Sequence, residues 1–435
     1  MLVPALVVVG ALATAGPALA VDRYAPMKGA PGPGPARYDR VWVQQLGPKS
    51  ARNVLVLVPG TNGGAGGITP VARDIVKRVP RTQVWIVDRR QQAFEDTSVF
   101  AAGGDPQAAQ EYYLDFKYRA VRGGDVPFVA DWGLELSLED LRRVVLRARD
   151  GGRRRVLLGG HSAGASTAVA YAAWDFRGRA GHRDIDGLVL IDGGLRGSFS
   201  SSDLPRARSE LAEIRGGRVF LDLIGFGLPE ISGIFAQMGA VWAAQRPNDP
   251  SVLQNYAPLP DIFKPAFRVT NEAIFGYAFD KDTSPEGLEL IRVEAGSLAT
   301  SGDPRGWNDN GLTSIKRFAR AYAANGPNAT EWYYPRRLLL DVDAASALRQ
   351  TPAARYLGLR LTHTKEIADP LYAYGTALTD GAVERGARRV VRGSRIRRSR
   401  IVGDPGANHL DPLLARPARN RFLRTVVPFL RRGLR

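Results

Sequence analysis

The chain has 435 residues, enough for one large domain with insertions or for two to three domains with a substantial core. Its 44% hydrophobic, 24% charged and 9% aromatic residues exclude a disordered tail, a collagen-like repeat and a polytopic membrane protein. A formal charge of +17 would ordinarily suggest a nucleic-acid partner, but Arg outnumbers Lys 52 to 8 and 15 Arg crowd the stretch from residue 385 onward with no nucleic-acid-reading motif beside them, so the charge reads as a solvated face or an attraction to an anionic cell-envelope surface.

In chain order, residues 1–20 come first. They carry an apolar run over 2–15, a Gly16-Pro17 breaker and the small-residue end Ala18-Leu19-Ala20. This is the pattern of a secretory signal peptide cleaved after Ala20, although no basic residue precedes the run, and it is too short for a permanent membrane anchor. The expected destination is outside the cell or at its envelope. Residues 21–37 are rich in Pro and Gly and predict an extended linker.

From residue 38, short apolar and β-branched runs alternate with helical patterns, the signature of βα units around a mostly parallel sheet covered on both faces. Strands are predicted over 40–45, 54–58, 83–87, 155–158, 187–191, 371–374 and 397–402, and helices over 69–78, 137–148, 163–175 and 416–432. The alternation divides the rest of the chain into a core segment 38–194, a large, mainly helical cap insertion 195–366, and a second core segment 367–435. Within the insertion, the apolar stretch 221–244 and the cluster Trp332, Tyr333 and Tyr334 suit either the cap's own core or a lid surface.

The chemistry centres on GGHSAGAS. A strand runs into Gly160-His161-Ser162-Ala163-Gly164 and a helix of small residues follows at once. Gly-x-Ser-x-Gly in this setting describes a nucleophile elbow: the turn is sharp enough to need strained backbone angles at Ser162, and strand and helix can approach only where the flanking side chains are absent. A helix N-terminus beside the serine favours developing negative charge. There is no Cys, no His-Glu-x-x-His and no phosphate-cradling glycine pattern, so thiolate chemistry is excluded, and metal or nucleotide chemistry has no motif to support it.

On these residues the sequence resembles the α/β-hydrolase superfamily, in particular its lipase- and esterase-like members, over most of 38–194 and 367–435. The resemblance implies an α/β-hydrolase fold of about eight strands with the nucleophile after the fifth, triad order Ser, acid, His, and no cofactor. It assigns the base to His409, in the loop after the last predicted strand, rather than to His161, His182 or His363. It assigns the acid to Asp380, after strand and Gly375, with Asp192 at the end of LVLID as the alternative position. The oxyanion donors would be the amides of Ala163 and of Thr61, the latter in the Pro59-Gly60-Thr61-Asn62-Gly63-Gly64 loop, where the family's common His-Gly pair is absent. The implied activity is a secreted serine hydrolase acting on a small-molecule or lipid carboxylic ester. An amidase, peptidase or acyltransferase would use the same triad, and a non-catalytic binding module on this scaffold should show a broken one.

Overall fold

The structure, a computed structural model, describes residues 20–101, 103, 105–195, 203–323 and 326–433. The signal-peptide expectation for residues 1–20 lies outside the described residues except for Ala20. Among the described residues, no helix is long and apolar enough to cross a membrane.

Among the described residues ten strands form: β1 (Ala20–Lys28), β2 (Arg40–Pro48), β3 (Asn53–Val58), β4 (Thr82–Asp88), β5 (Arg155–His161), β6 (Leu188–Ile191), β7 (Ser297–Gly302), β8 (Arg305–Asn308), β9 (Leu371–Thr376) and β10 (Ser399–Asp404). Eight of them make one sheet in the order β1-β2-β4-β3-β5-β6-β9-β10. It is parallel from β4 to β10, with β1 and β2 antiparallel at one edge. The pattern of β3, NVLVLV, explains why the sheet is buried on both sides. Val54, Val56 and Val58 point into one apolar cluster, while Leu55 and Leu57 point into another. Each fully buried Val or Leu contributes about 1.5–3 kcal/mol, so a strand apolar on both faces is stable only between two layers.

Helices Leu134–Arg149, Ala163–Ala173 and Ala382–Gly393 cover the first face, and Ala65–Arg78 and Arg421–Gly433 the second. All seven strands expected from the sequence are present. The helix expected over 416–432 starts only at Arg421, because the arginines before it are used otherwise. Arg416 donates to the carbonyls of Asp309 and Gly311, and Arg419 to that of Asn310, so part of the basic C-terminal stretch staples the insertion to the core.

The linker reading of 21–37 needs correction. β1 pairs with β2 through nine residues, from Ala20 opposite Pro48 to Lys28 opposite Arg40. Pro26 is tolerated because β1 is the outermost strand, where a missing N–H breaks no second ladder. The turn that follows is pinned too. The Ala30 amide donates to Asp140 and its carbonyl accepts from Arg90, which is itself paired with Asp140 and Asp39.

The insertion leaves the sheet after β6 and returns at β9. It is mainly helical, with β7 and β8 forming one small antiparallel hairpin. It does not stand apart from the core: Ile234, Trp332 and Leu338 join one core cluster, and Phe275 and Phe318 the other. Its helix Arg336–Ala345 packs directly on Ala163–Ala173 and Leu134–Arg149, extending the layer over the sheet. Trp332, Tyr333 and Tyr334 are fully buried, which settles their role as packing.

Candidate active site

The site gathers at the C-terminal ends of β3, β5, β6, β9 and β10. At the end of β5, Ser162 sits at φ 54°, ψ −124°, a left-handed conformation that costs a non-glycine residue roughly 1–3 kcal/mol. The surroundings enforce it. A Cβ at Gly160 would collide with the backbone of Gly164, and one at Gly164 would collide with the Val58 carbonyl. The Ser162 amide donates to Ile191 and its carbonyl accepts from Ala165 and Ser166, fixing the turn between strand and helix. The side chain is half-buried and lines a cleft of about 120 Å³ together with Thr61, His161 and His409.

His409 lies in the loop after β10 and is 3% exposed. Its Nδ1 donates to Asp192 Oδ2 at 2.6 Å, which fixes the tautomer and leaves Nε2 as the basic ring nitrogen. Asp192 follows β6 with a positive φ of 48° and is 2% exposed. It also accepts from the Thr376 amide at 2.7 Å and the Thr376 hydroxyl at 2.5 Å. Burial pushes the Asp192 carboxyl up, but the hydrogen bond and charge of His409, with the two Thr376 donors, outweigh it and hold the group below the ordinary aspartate value.

This arrangement corrects the expected acid. Asp380 follows the short turn Ala377–Thr379, is exposed, and takes no part in the His409 contact. The tip of β9 presents Thr376, whose amide and hydroxyl both point at Asp192, so the place beside the imidazole is filled from β6. The chain then turns away at Ala377, whose amide donates to Ala407 in the histidine loop.

His161 precedes the serine at the end of β5. Its ring packs 4.3 Å from the His409 ring, and its Nε2 donates to the His409 carbonyl at 2.8 Å. Burial, and then the neighbouring His409, depress its basicity, so it remains a neutral donor. His182 and His363 lie elsewhere, beside Asp369 and Glu366 respectively.

The Thr61 loop is held from two sides. The amides of Gly63, Gly64, Gly66 and Gly67 are committed to Gly60, Ala329, Asn328 and Gly64, whereas among the described residues those of Thr61 and Asn62 meet no backbone acceptor. The Ala163 amide is at the first helical position, where no intrahelical acceptor exists. Thr61 lines the same cleft as Ser162, and Ala163 follows Ser162 at the start of the helix.

Two residues that sequence reasoning did not single out set this loop. Arg89, just past β4, donates to the Pro59 carbonyl at 2.5 Å and the Gly60 carbonyl at 3.4 Å, and pairs with Glu331 at 2.8 Å. The Glu331 amide donates to the Asn62 carbonyl, and the Glu331 carbonyl accepts from the Asn62 side-chain Nδ2. Burial pushes the Glu331 carboxyl up to about 7 even against the pull of Arg89. Arg89→Met strands a buried carboxylate and two carbonyls, so unfolding by urea should show a loss of about 3–5 kcal/mol. Adding Glu331→Gln should restore part of it, and an unchanged midpoint in Arg89→Met would show that the pair does not hold the loop.

No protein-family model matches the chain, and no curated protein matches it in sequence. Solved structures do. A candidate lipase from Sulfolobus solfataricus is 15% identical at a TM-score of 0.50, with 95% of this chain and 94% of that one covered. A soluble variant of monoglyceride lipase from Saccharomyces cerevisiae is 11% identical at a TM-score of 0.44, covering 97% of each chain. A thermostable carboxyl esterase from Bacillus coagulans is 12% identical at a TM-score of 0.43, with 91% of this chain and 94% of that one covered. Taken with the strand order and the elbow after β5, the first of these likenesses establishes the fold.

Proposed function

We propose that this chain, which has the α/β-hydrolase fold, is a serine hydrolase that cleaves carboxylic esters through an acyl-enzyme. The observation that carries the reading is the buried Asp192–His409 hydrogen bond in the same cleft as a serine held in the left-handed elbow conformation. A serine hydroxyl is a weak nucleophile until a base takes its proton. His409 Nε2 accepts that proton as Ser162 Oγ attacks the ester carbonyl, and Asp192 stabilises the imidazolium that forms.

The tetrahedral oxyanion is received by the amides of Ala163 and Thr61, each such donor being worth about 2.7–4 kcal/mol. The imidazolium then protonates the departing alkoxide. In the second half, water gives a proton to His409 as its oxygen attacks the acyl carbon; the bond to Ser162 Oγ then breaks, Oγ takes that proton back, and the acid leaves. The description of the Sulfolobus solfataricus structure as a lipase agrees with this reading.

The test is covalent. A fluorophosphonate probe should label the purified protein at one site, and peptide mass mapping should place the adduct on Ser162. A protein that stays unlabelled under conditions in which a known serine esterase reacts fully would be a binding module instead.

A further inference from the structure

The cleft that holds Ser162 does not end beside it. Five of its wall residues, Leu223, Ser232, Ala236, Phe279 and Ile291, also line a second cavity of about 120 Å³ inside the insertion. That chamber lies between helices Ile231–Gln245 and Asn271–Phe279 and the loops following them. Its deeper wall is aliphatic and aromatic, with Phe235, Leu259, Phe263 and Phe275 among it. Ser232 supplies the one side-chain hydroxyl among the described lining residues, and no charged side chain lines it.

Protein interiors are close-packed, and a recess walled by apolar groups hydrates poorly and favours an apolar guest. The small side chains of Ala236 and Ala278, together with Gly239, face the space and keep it open. Apolar surface continues outward: Leu223, which lines both cavities, is 36% exposed, and Leu290, on the wall of the cleft, is 42% exposed. Phe226 and Ile262, exposed by 47% and 60%, lie in the neighbouring segments.

We propose that this chamber seats a long unbranched aliphatic chain of the ester whose carbonyl sits at Ser162, which makes medium- and long-chain aliphatic esters the substrate class. The proposal rests on the reading of Ser162 as the nucleophile. The shared wall supplies the continuity, since Ala236 and Phe279 line both the Ser162 cleft and the chamber and so offer a chain leaving the carbonyl an apolar path between them. Each methylene moved from water into such surroundings favours the bound state by about fourfold, so seating only four of them is worth roughly two-hundredfold.

The experiment compares kcat/KM for p-nitrophenyl acetate and p-nitrophenyl decanoate as monomers in solution, and for ethyl acetate and decyl acetate. A gain of roughly two-hundredfold is expected for the long chain on one side of the ester, and the pair that shows it assigns the chamber to the acyl or the alcohol arm. Ala278→Trp fills the chamber at a residue that does not line the Ser162 cleft, and should lower the long-to-short ratio at least about tenfold. Leu288→Trp, in a loop, repeats the test if the helix variant does not fold. Ser162-dependent turnover of the acetate with no gain in either long-chain pair, or a ratio that both variants leave unchanged, overturns the chamber assignment alone. Absence of any Ser162-dependent turnover and of fluorophosphonate labelling overturns the reading of the site itself.

Discussion

Ser162→Ala is expected to fold and melt as the parent protein does while its turnover of p-nitrophenyl butyrate falls by about 10⁶-fold, to the level that bound-water attack leaves. The size follows from the chemistry: without Oγ there is no acyl-enzyme, and neither the oxyanion amides nor His409 has a nucleophile to serve. The fold should be indifferent, because what the elbow demands of residue 162 is its backbone, with φ 54° and bonds from its amide to Ile191 and from Ala165 and Ser166 to its carbonyl. Alanine keeps all three. Ser162→Gly should be equally inactive yet more stable by about 1 kcal/mol, since glycine adopts the left-handed region without strain. Thermal melts and initial rates on the three proteins decide the matter. Retained turnover in Ser162→Ala would put the nucleophile elsewhere in the cleft.

The features legible in the sequence were those fixed by neighbours along the chain. VLVLV needs two apolar layers wherever it is placed, and Gly160-His161-Ser162-Ala163-Gly164 can make only one kind of turn between strand and helix. His409 was singled out by the family resemblance, on its place in the Gly/Pro/Asn loop after the last strand. What was lost was settled by contacts across the chain. Asp192 and Asp380 each stand near the end of a parallel strand, and their local sequences do not rank them; the choice is made by Thr376, which binds Asp192 from the adjacent strand tip. β1 was hidden because its Pro-containing segment reads as a spacer until β2 is known to lie beside it. Arg89 and Glu331 are 242 positions apart, and nothing local marks either as a support for the Thr61 loop.

Asp192→Asn is expected to lower kcat for ester hydrolysis by about 10⁴-fold with KM little changed, whereas Asp380→Asn should leave kcat within about twofold. The contrast rests on what each carboxylate touches. Asp192 accepts the proton-bearing Nδ1 of His409 at 2.6 Å, so Nε2 is the nitrogen open to the serine proton. An asparagine there can present its NH₂ to Nδ1, which moves the ring proton to Nε2 and disables the base; it also removes the charge that stabilises the imidazolium. Asp380 is exposed at the end of the Ala377–Thr379 turn, and a surface carboxamide changes little. Stability should report the same assignment. Because the folded protein holds the Asp192 carboxyl below its ordinary value, its contribution is present above the unfolded aspartate range and is lost as pH falls through the depressed folded value. The variant should therefore lose stability at neutral pH and show a shallower decline on acidification, read from urea midpoints across the acid limb. If Asp380→Asn were the slow enzyme and Asp192→Asn the normal one, the acid would belong to β9 and the Asp192–His409 bond would serve structure alone.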